Sequence, residues 1–227
     1  MAIRRALRLL PAVGVICLYM SSLRNGSSRA WATPRSPSQD AAVGYYTAAL
    51  KGAAQVTGPE SSAFKRLARL HYHAVELRRE RKWARASAVY RTAIALQQHM
   101  PAAKEVPACA AAACTWLNLA LTEQNNHHFD KARQAFQDGT RFVQDMMQKE
   151  FDVWIDGQNR LRSRTIAQSE CTEVKTACKW LATLLVAWGL LETRRGFRGR
   201  AKVLAERASI LDGSKAKVLS WKVVRGI

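Results

Sequence analysis

Residues 86–94 read Ala86-Ser87-Ala88-Val89-Tyr90-Arg91-Thr92-Ala93-Ile94, and the pattern small-x-x-x-aromatic-x-x-small-apolar within them decides the fold class. At helical spacing the two small residues and the ring share one stripe, so a neighbouring helix can approach closely at Ala86 and Ala93 and lock over Tyr90. The pattern stands upstream as Ala42-x-x-x-Tyr46-x-x-Ala49-Leu50 and downstream as Ala132-x-x-x-Phe136-x-x-Gly139, at steps of 44 and 46 residues. A fourth copy, Ala201-x-x-x-Ala205-x-x-Ala208, follows after 69 more and lacks the ring. Self-similarity at such a period marks stacked supersecondary units.

Each copy is preceded by a segment suited to be its partner helix. Leu70, Ala74 and Leu77 lead through Arg79-Glu80-Arg81 to Trp83; Trp116, Leu119 and Ala120 lead through Asn125-Asn126-His127-His128 to Phe129; Leu185 and Gly189 lead through Arg194-Arg195-Gly196 to Phe197. Beyond residue 40 there is no sustained period-two alternation, and Ala, Leu, Arg, Gln and Glu dominate, so the body is expected to be helical. Leu181 to Leu191 is an apolar run too short to span a bilayer, and reads as a buried helix. Between the third and fourth copies, residues 141–170 are expected to hold a lengthened helix (Phe142 to Trp154) and a basic connector with Arg160, Arg162 and Arg164, or a further helix.

A large and a small residue on one helix, a short turn, then small-aromatic-small on the next resembles the tetratricopeptide repeat family over residues 40–212. The step of 44 to 46 is longer than that family's usual spacing and is similar to its kinesin-light-chain-type variant, with Gly58-Pro59-Glu60 where that variant places a Gly-Pro-acidic turn. The fold the resemblance implies is an all-α solenoid of about three helical hairpins, with a leading half-repeat helix around 40–55 and a basic tail at 213–227. A non-repeat helical bundle is the alternative. A pentatricopeptide array would need a shorter step and base-reading polar positions, which this sequence lacks.

Chemistry is sparse. The five His (His71, His73, His99, His127, His128) stand at no zinc-helix spacing such as H-E-x-x-H, and Cys109, Cys114, Cys171 and Cys178 form no C-x-x-C hook. No phosphate-cradling glycine loop and no nucleophile elbow is present, and Gly196-Phe197-Arg198-Gly199-Arg200 is accounted for by a turn. The expectation is a protein without catalytic residues, cofactor or metal.

Net charge is +19 in 227 residues, and it is unevenly placed. Residues 65–91 and 194–225 are strongly basic, whereas 92–193 hold ten basic and eleven acidic side chains, so the excess sits at two ends of the body. The candidate basic patch is Lys65, Arg66, Arg69, Arg81, Lys82 and Arg85 with Arg194, Arg195, Arg198 and Arg200, suited to RNA phosphates or anionic lipid. Part of it needs no ligand, since Arg78 and Arg79 fall where a helix C-terminus favours cations.

Residues 1–39 read as an address and linker. Arg4, Arg5 and Arg8 oppose Ile3, Leu7, Leu10 and Val13 around a helix, and no acid precedes Asp40, the profile of a mitochondrial presequence. The competing reading is a secretory signal or membrane anchor, from the apolar run Leu9 to Met20 and the small-x-small site Ala30-Trp31-Ala32. The breaker-rich stretch 33–39 then separates the address from the body.

Members of the family bind peptides or helices in a groove lined by their first helices. Carried over position by position, the groove comprises Ala68, His71, Val75 and Arg78, then Cys114, Leu117, Leu121 and Gln124, then Thr183, Val186 and Leu190. The Asn and Lys with which co-chaperone members clamp a terminal carboxylate are replaced by His71, Val75, Leu121 and Thr183, so the implied ligand is an apolar segment of a partner protein. The functional expectation is an adaptor, assembly factor or subunit of a mitochondrial complex, with an RNA-associated mitochondrial component as the alternative.

Overall fold

The computed structural model describes residues 62–98, 108–156, 160–163 and 172–220. The leading helix expected at 40–55, the Gly58-Pro59-Glu60 turn and the presequence lie outside them. The described chain is all-α apart from one small hairpin: α1 (Ser62–Arg79), α2 (Trp83–Gln98), α3 (Ala108–Asn125), α4 (Phe129–Phe151), β1 (Val153–Ile155), β2 (Leu161–Ser163), α5 (Thr172–Arg194), α6 (Arg198–Leu211) and a 3-10 helix at Gly213–Ser220. The helices pair as α1/α2, α3/α4 and α5/α6; α3 also packs on α2, and α5 on both α3 and α4.

The three helix-to-helix turns are built alike. In the first, the Lys82 N–H donates to the Leu77 carbonyl and the Arg81 N–H to that of Arg78; in the second, His128 donates to Glu123 and His127 to Gln124; in the third, Phe197 donates to Glu192 and Gly196 to Thr193. These bonds satisfy the orphan carbonyls of a helix end and require one residue in the left-handed region. Arg81 (φ 58°), His127 (φ 60°) and Gly196 (φ 85°) supply it. Each second helix then starts the same way, with the Ala86, Ala132 and Ala201 N–H groups donating to Lys82, His128 and Phe197.

Position by position, the hairpins repeat at steps of 46 and 69 residues. Ala86, Ala132 and Ala201 are buried, as are Tyr90, Phe136 and Ala205. Opposite them on the first helices stand Ala74, Ala120 and Gly189, also buried. A Cβ on Gly189 would lie 3.4 Å from the Ala201 carbonyl oxygen, so the first and second helices approach almost backbone to backbone at these small residues. The approach is tighter at Gly139, where a Cβ would meet Trp116 Cβ at 2.6 Å. The core runs continuously from Ala74 and Tyr90 through Leu117, Phe136, Leu181 and Leu185 to Leu204 and Val218. Helix α3, between α2, α4 and α5, is buried almost all round from Cys109 to Ala113, which explains its alanine run.

Two expectations are corrected. The helix expected to run from Phe142 to Trp154 is the end of α4 and stops at Phe151, where Asp152 turns left-handed (φ 52°) and donates its N–H to the Gln148 carbonyl. As far as Ser163 the chain then forms not a basic coil but the antiparallel pair β1–β2, with Val153 opposite Ser163 and Trp154 opposite Arg162; Arg164 and the further helix expected before residue 170 lie outside the described residues. Val153 is fully buried, and the Asp156 carboxylate closes the hairpin by accepting from the Arg160 N–H (2.7 Å), Arg160 Nε (3.2 Å) and Arg162 Nε (2.9 Å). Part of the segment assigned to a basic tail, residues 213–220, is the 3-10 helix packed on α6 with Val218 and Lys215 buried.

Helix α5 includes a stretch, Val174–Arg194, long and apolar enough to cross a membrane, but 67% of its most apolar window is buried against the rest of the fold.

Candidate functional site

The residues assigned to the groove fall into two rows. His71, Leu117 and Val186 occupy one equivalent position and are buried, as are Ala68, Cys114 and Thr183 one turn earlier. Val75, Leu121 and Leu190 occupy the equivalent position one turn later and are half-buried, as are Arg78 and Gln124 beyond them. The first row belongs to the packing between hairpins. The second reaches solvent, in the order Val75, Leu121, Leu190 along the stack.

At His71 the packing is polar. Its Nε2 lies 2.8 Å from the Thr115 hydroxyl, which also accepts from Gln97 Nε2 (3.1 Å) and donates to the Ala111 carbonyl (2.9 Å). The ring stands edge-on to Tyr90, with centroids 5.5 Å apart. Burial, and then the charge of Arg78, pull the imidazole down to a pKa of about 3, so it is neutral at physiological pH. Arg78 donates to Asn118 Oδ1 (2.8 Å), and Asn118 donates to the Cys114 carbonyl (2.9 Å). Thus α1 is tied to α3 by side chains 40 and 44 residues apart.

The three described thiols, Cys109, Cys114 and Cys178, are kept protonated by the same physics. Burial pushes Cys114 up to about 12 and Cys178 up to about 11, and raises Cys109 further, leaving negligible thiolate at neutral pH. No group of His, Cys, Asp and Glu able to hold a metal ion occurs among the described residues.

Sequence reasoning missed the carboxylates that join the hairpins. Glu123 and Glu192 occupy the same position near the end of α3 and α5, and each is held by an arginine from the second helix of the preceding hairpin. Arg133 clasps Glu192 with two bonds, Nε to Oε1 at 2.6 Å and Nη2 to Oε2 at 2.8 Å, and Trp188 Nε1 donates to Oε1 at 3.0 Å. Burial alone would raise this carboxyl, but the bonds from Arg133 and Trp188 outweigh it and hold it below the usual carboxylate range. Arg91 Nη2 lies 2.8 Å from Glu123 Oε1, and His128 Nδ1 lies 3.2 Å from Oε2. No local pattern announces partners 32 and 59 residues apart.

The basic patch is divided. Lys65, Arg66 and Arg69 lie toward the start of α1, about 20 Å along its axis from the turn that bears Arg81, Lys82 and Arg85. The latter three share the turn edge of the molecule with Arg194, Arg195, Arg198 and Arg200, because all three turns lie on that edge and Arg195 of the third reaches Asp130 beside the second (2.5 Å). Guanidinium carbons of Arg133, Arg200 and Arg195 stand 4.8, 5.3 and 5.9 Å from the centroid of the half-exposed Phe197 ring. Lys82 pairs with Glu80 (2.7 Å) and Arg79 with Glu76.

Comparison with known protein families, curated proteins and solved structures finds no match to this chain.

Proposed function

We propose that this chain is a tetratricopeptide-like solenoid acting as a non-enzymatic adaptor, assembly factor or subunit of a mitochondrial complex, gripping an apolar segment of a partner protein along its first helices. The observation that carries the reading is the solvent-reaching row Val75, Leu121 and Leu190, one residue per hairpin at one repeated position. A row of that kind offers evenly spaced apolar contacts to an extended or helical segment laid across the stack, with Arg78 and Gln124 as polar neighbours. The buried thiols and the neutral, enclosed His71 offer no nucleophile or general base to a substrate, which favours binding over catalysis. The mitochondrial assignment rests on residues 1–39, which lie outside the described structure.

The test is affinity capture from mitochondria with the full chain, washed at high salt with and without nuclease. Partners that persist through both support the adaptor; loss of every partner on nuclease treatment overturns it. Leu121→Asp and Leu190→Asp are expected to abolish capture while the chain stays folded by circular dichroism. In a parallel experiment residues 1–40 fused to a reporter are expected to enter mitochondria, and delivery to the secretory pathway would refute the assignment. The second reading, an RNA-associated mitochondrial component, is favoured by the exposed cations of the turn edge and predicts capture that fails with salt and nuclease.

A further inference from the structure

Residues 76–85, 123–133 and 192–200, which make the three turns and the helix ends beside them, carry eleven Arg and Lys against five Asp and Glu. Two of the five, Glu123 and Glu192, are buried and satisfied from within, so the exposed face of this edge is more positive than its composition. Arg81, Arg85, Lys131 and Arg194 are exposed and make no ion pair among the described residues.

The edge is also aromatic. Phe129 and Phe197 are 39% and 42% exposed, two of the four large apolar side chains so exposed among the described residues, and each sits where a turn enters a second helix. Trp83, at the position equivalent to Phe129, is half-exposed at the first turn. Each turn therefore presents one aromatic ring, set among cations at the first and third turns and beside Asp130 and Lys131 at the second.

We propose that this turn edge is a docking surface for an anionic phospholipid bilayer, independent of the first-helix row. Lipid phosphates neutralise the unpaired cations, and Phe129, Phe197 and Trp83 enter the headgroup boundary, where aromatic rings are favoured. A guanidinium lying over an aromatic ring, as Arg200 and Arg133 lie over Phe197, keeps an apolar body and a charge together at that depth. RNA fits the edge less well: single strands need ring faces open to stack on bases, and three guanidiniums already crowd the Phe197 ring.

The experiment is cosedimentation of the full chain with vesicles of phosphatidylcholine alone and of equimolar phosphatidylcholine and phosphatidylglycerol, with polyuridylate RNA as the competing ligand. The basic residues 1–35 also attract anionic lipid, so the decisive comparison is between two triple variants that share them. Arg81→Ser/Arg85→Ser/Arg194→Ser removes three unpaired edge cations; Lys65→Ser/Arg66→Ser/Arg141→Ser removes three cations away from the edge. At about fivefold per cation held at the surface, the edge triple is expected to lose about a hundredfold in partitioning to anionic vesicles and the control triple only a few-fold. Phe129→Ser/Phe197→Ser is expected to lose about tenfold, a loss that persists at high salt. Equal losses in the two triples would overturn the proposal, as would RNA binding that exceeds vesicle binding and fails selectively in the edge triple. Should the Phe pair fail to fold, the charge triples still decide, since none of the six cations they remove makes an ion pair among the described residues.

Discussion

His71 shows how one side chain sets a pH limit. Its folded pKa of about 3 lies below the ordinary value of 6.5, so between those values the unfolded chain holds the extra proton. Stability is therefore full above the unfolded pKa and falls with pH below it, by about 1.4 kcal/mol per unit. Chemical denaturation between about pH 7 and 5, above the range where carboxylates titrate, should show this slope, and His71→Gln should flatten it. Glycines make a second, graded series. Gly139→Ala drives a methyl into Trp116 and should cost about 1–3 kcal/mol, Gly196→Ala about 1 kcal/mol for its positive φ, and Gly199→Ala, facing open space in a helix, should gain about 0.5 kcal/mol. Thermal unfolding of the three variants would establish the order.

At the scale of elements, the stripes and turns of the three described hairpins were legible because they are local: Ala86-Tyr90-Ala93 declares its buried face by spacing alone, and Arg79-Glu80-Arg81 declares a turn by interrupting two stripes. The β1–β2 hairpin was not legible as helix logic. Val153-Trp154-Ile155 is β-branched and aromatic and runs into Asp156-Gly157, a turn signal, but three residues are too few to show alternation. The groove was legible only in register: sequence alone could not tell that the row of His71 faces inward while that of Val75 reaches solvent, because both positions carry side chains compatible with either setting. Contacts such as His71 to Thr115 or Arg133 to Glu192 join segments whose sequences do not mention one another. Asp156→Ala removes the acceptor of three bonds, and should raise hydrogen exchange at the amides of Val153–Ile155 while leaving the global unfolding free energy within about 1 kcal/mol.

For the whole molecule, coupling between hairpins decides whether it unfolds as one unit. Stacked repeats share stability through their interfaces, and the Arg133–Glu192 pair lies in the interface between the second and third hairpins. Glu192→Ala leaves Arg133 facing a buried gap and should cost about 3 kcal/mol, with the third hairpin melting ahead of the rest; Glu192→Ala with Arg133→Met should recover part of the loss. Calorimetry that finds one unchanged transition in the single variant would contradict this.

The carboxylates at Glu123 and Glu192 also give the stack a grammar. Each is a socket on the incoming hairpin, and the arginine on the outgoing hairpin is its plug, so the joint has a direction. The first hairpin has no socket: the equivalent position is Leu77, a buried hydrocarbon. An arginine plug brought to that position would press a guanidinium against leucine. Helix α6, with Lys202 and Glu206 where α4 and α2 carry Arg133 and Arg91, offers no arginine plug of its own, so the order of the described hairpins is written into single residues.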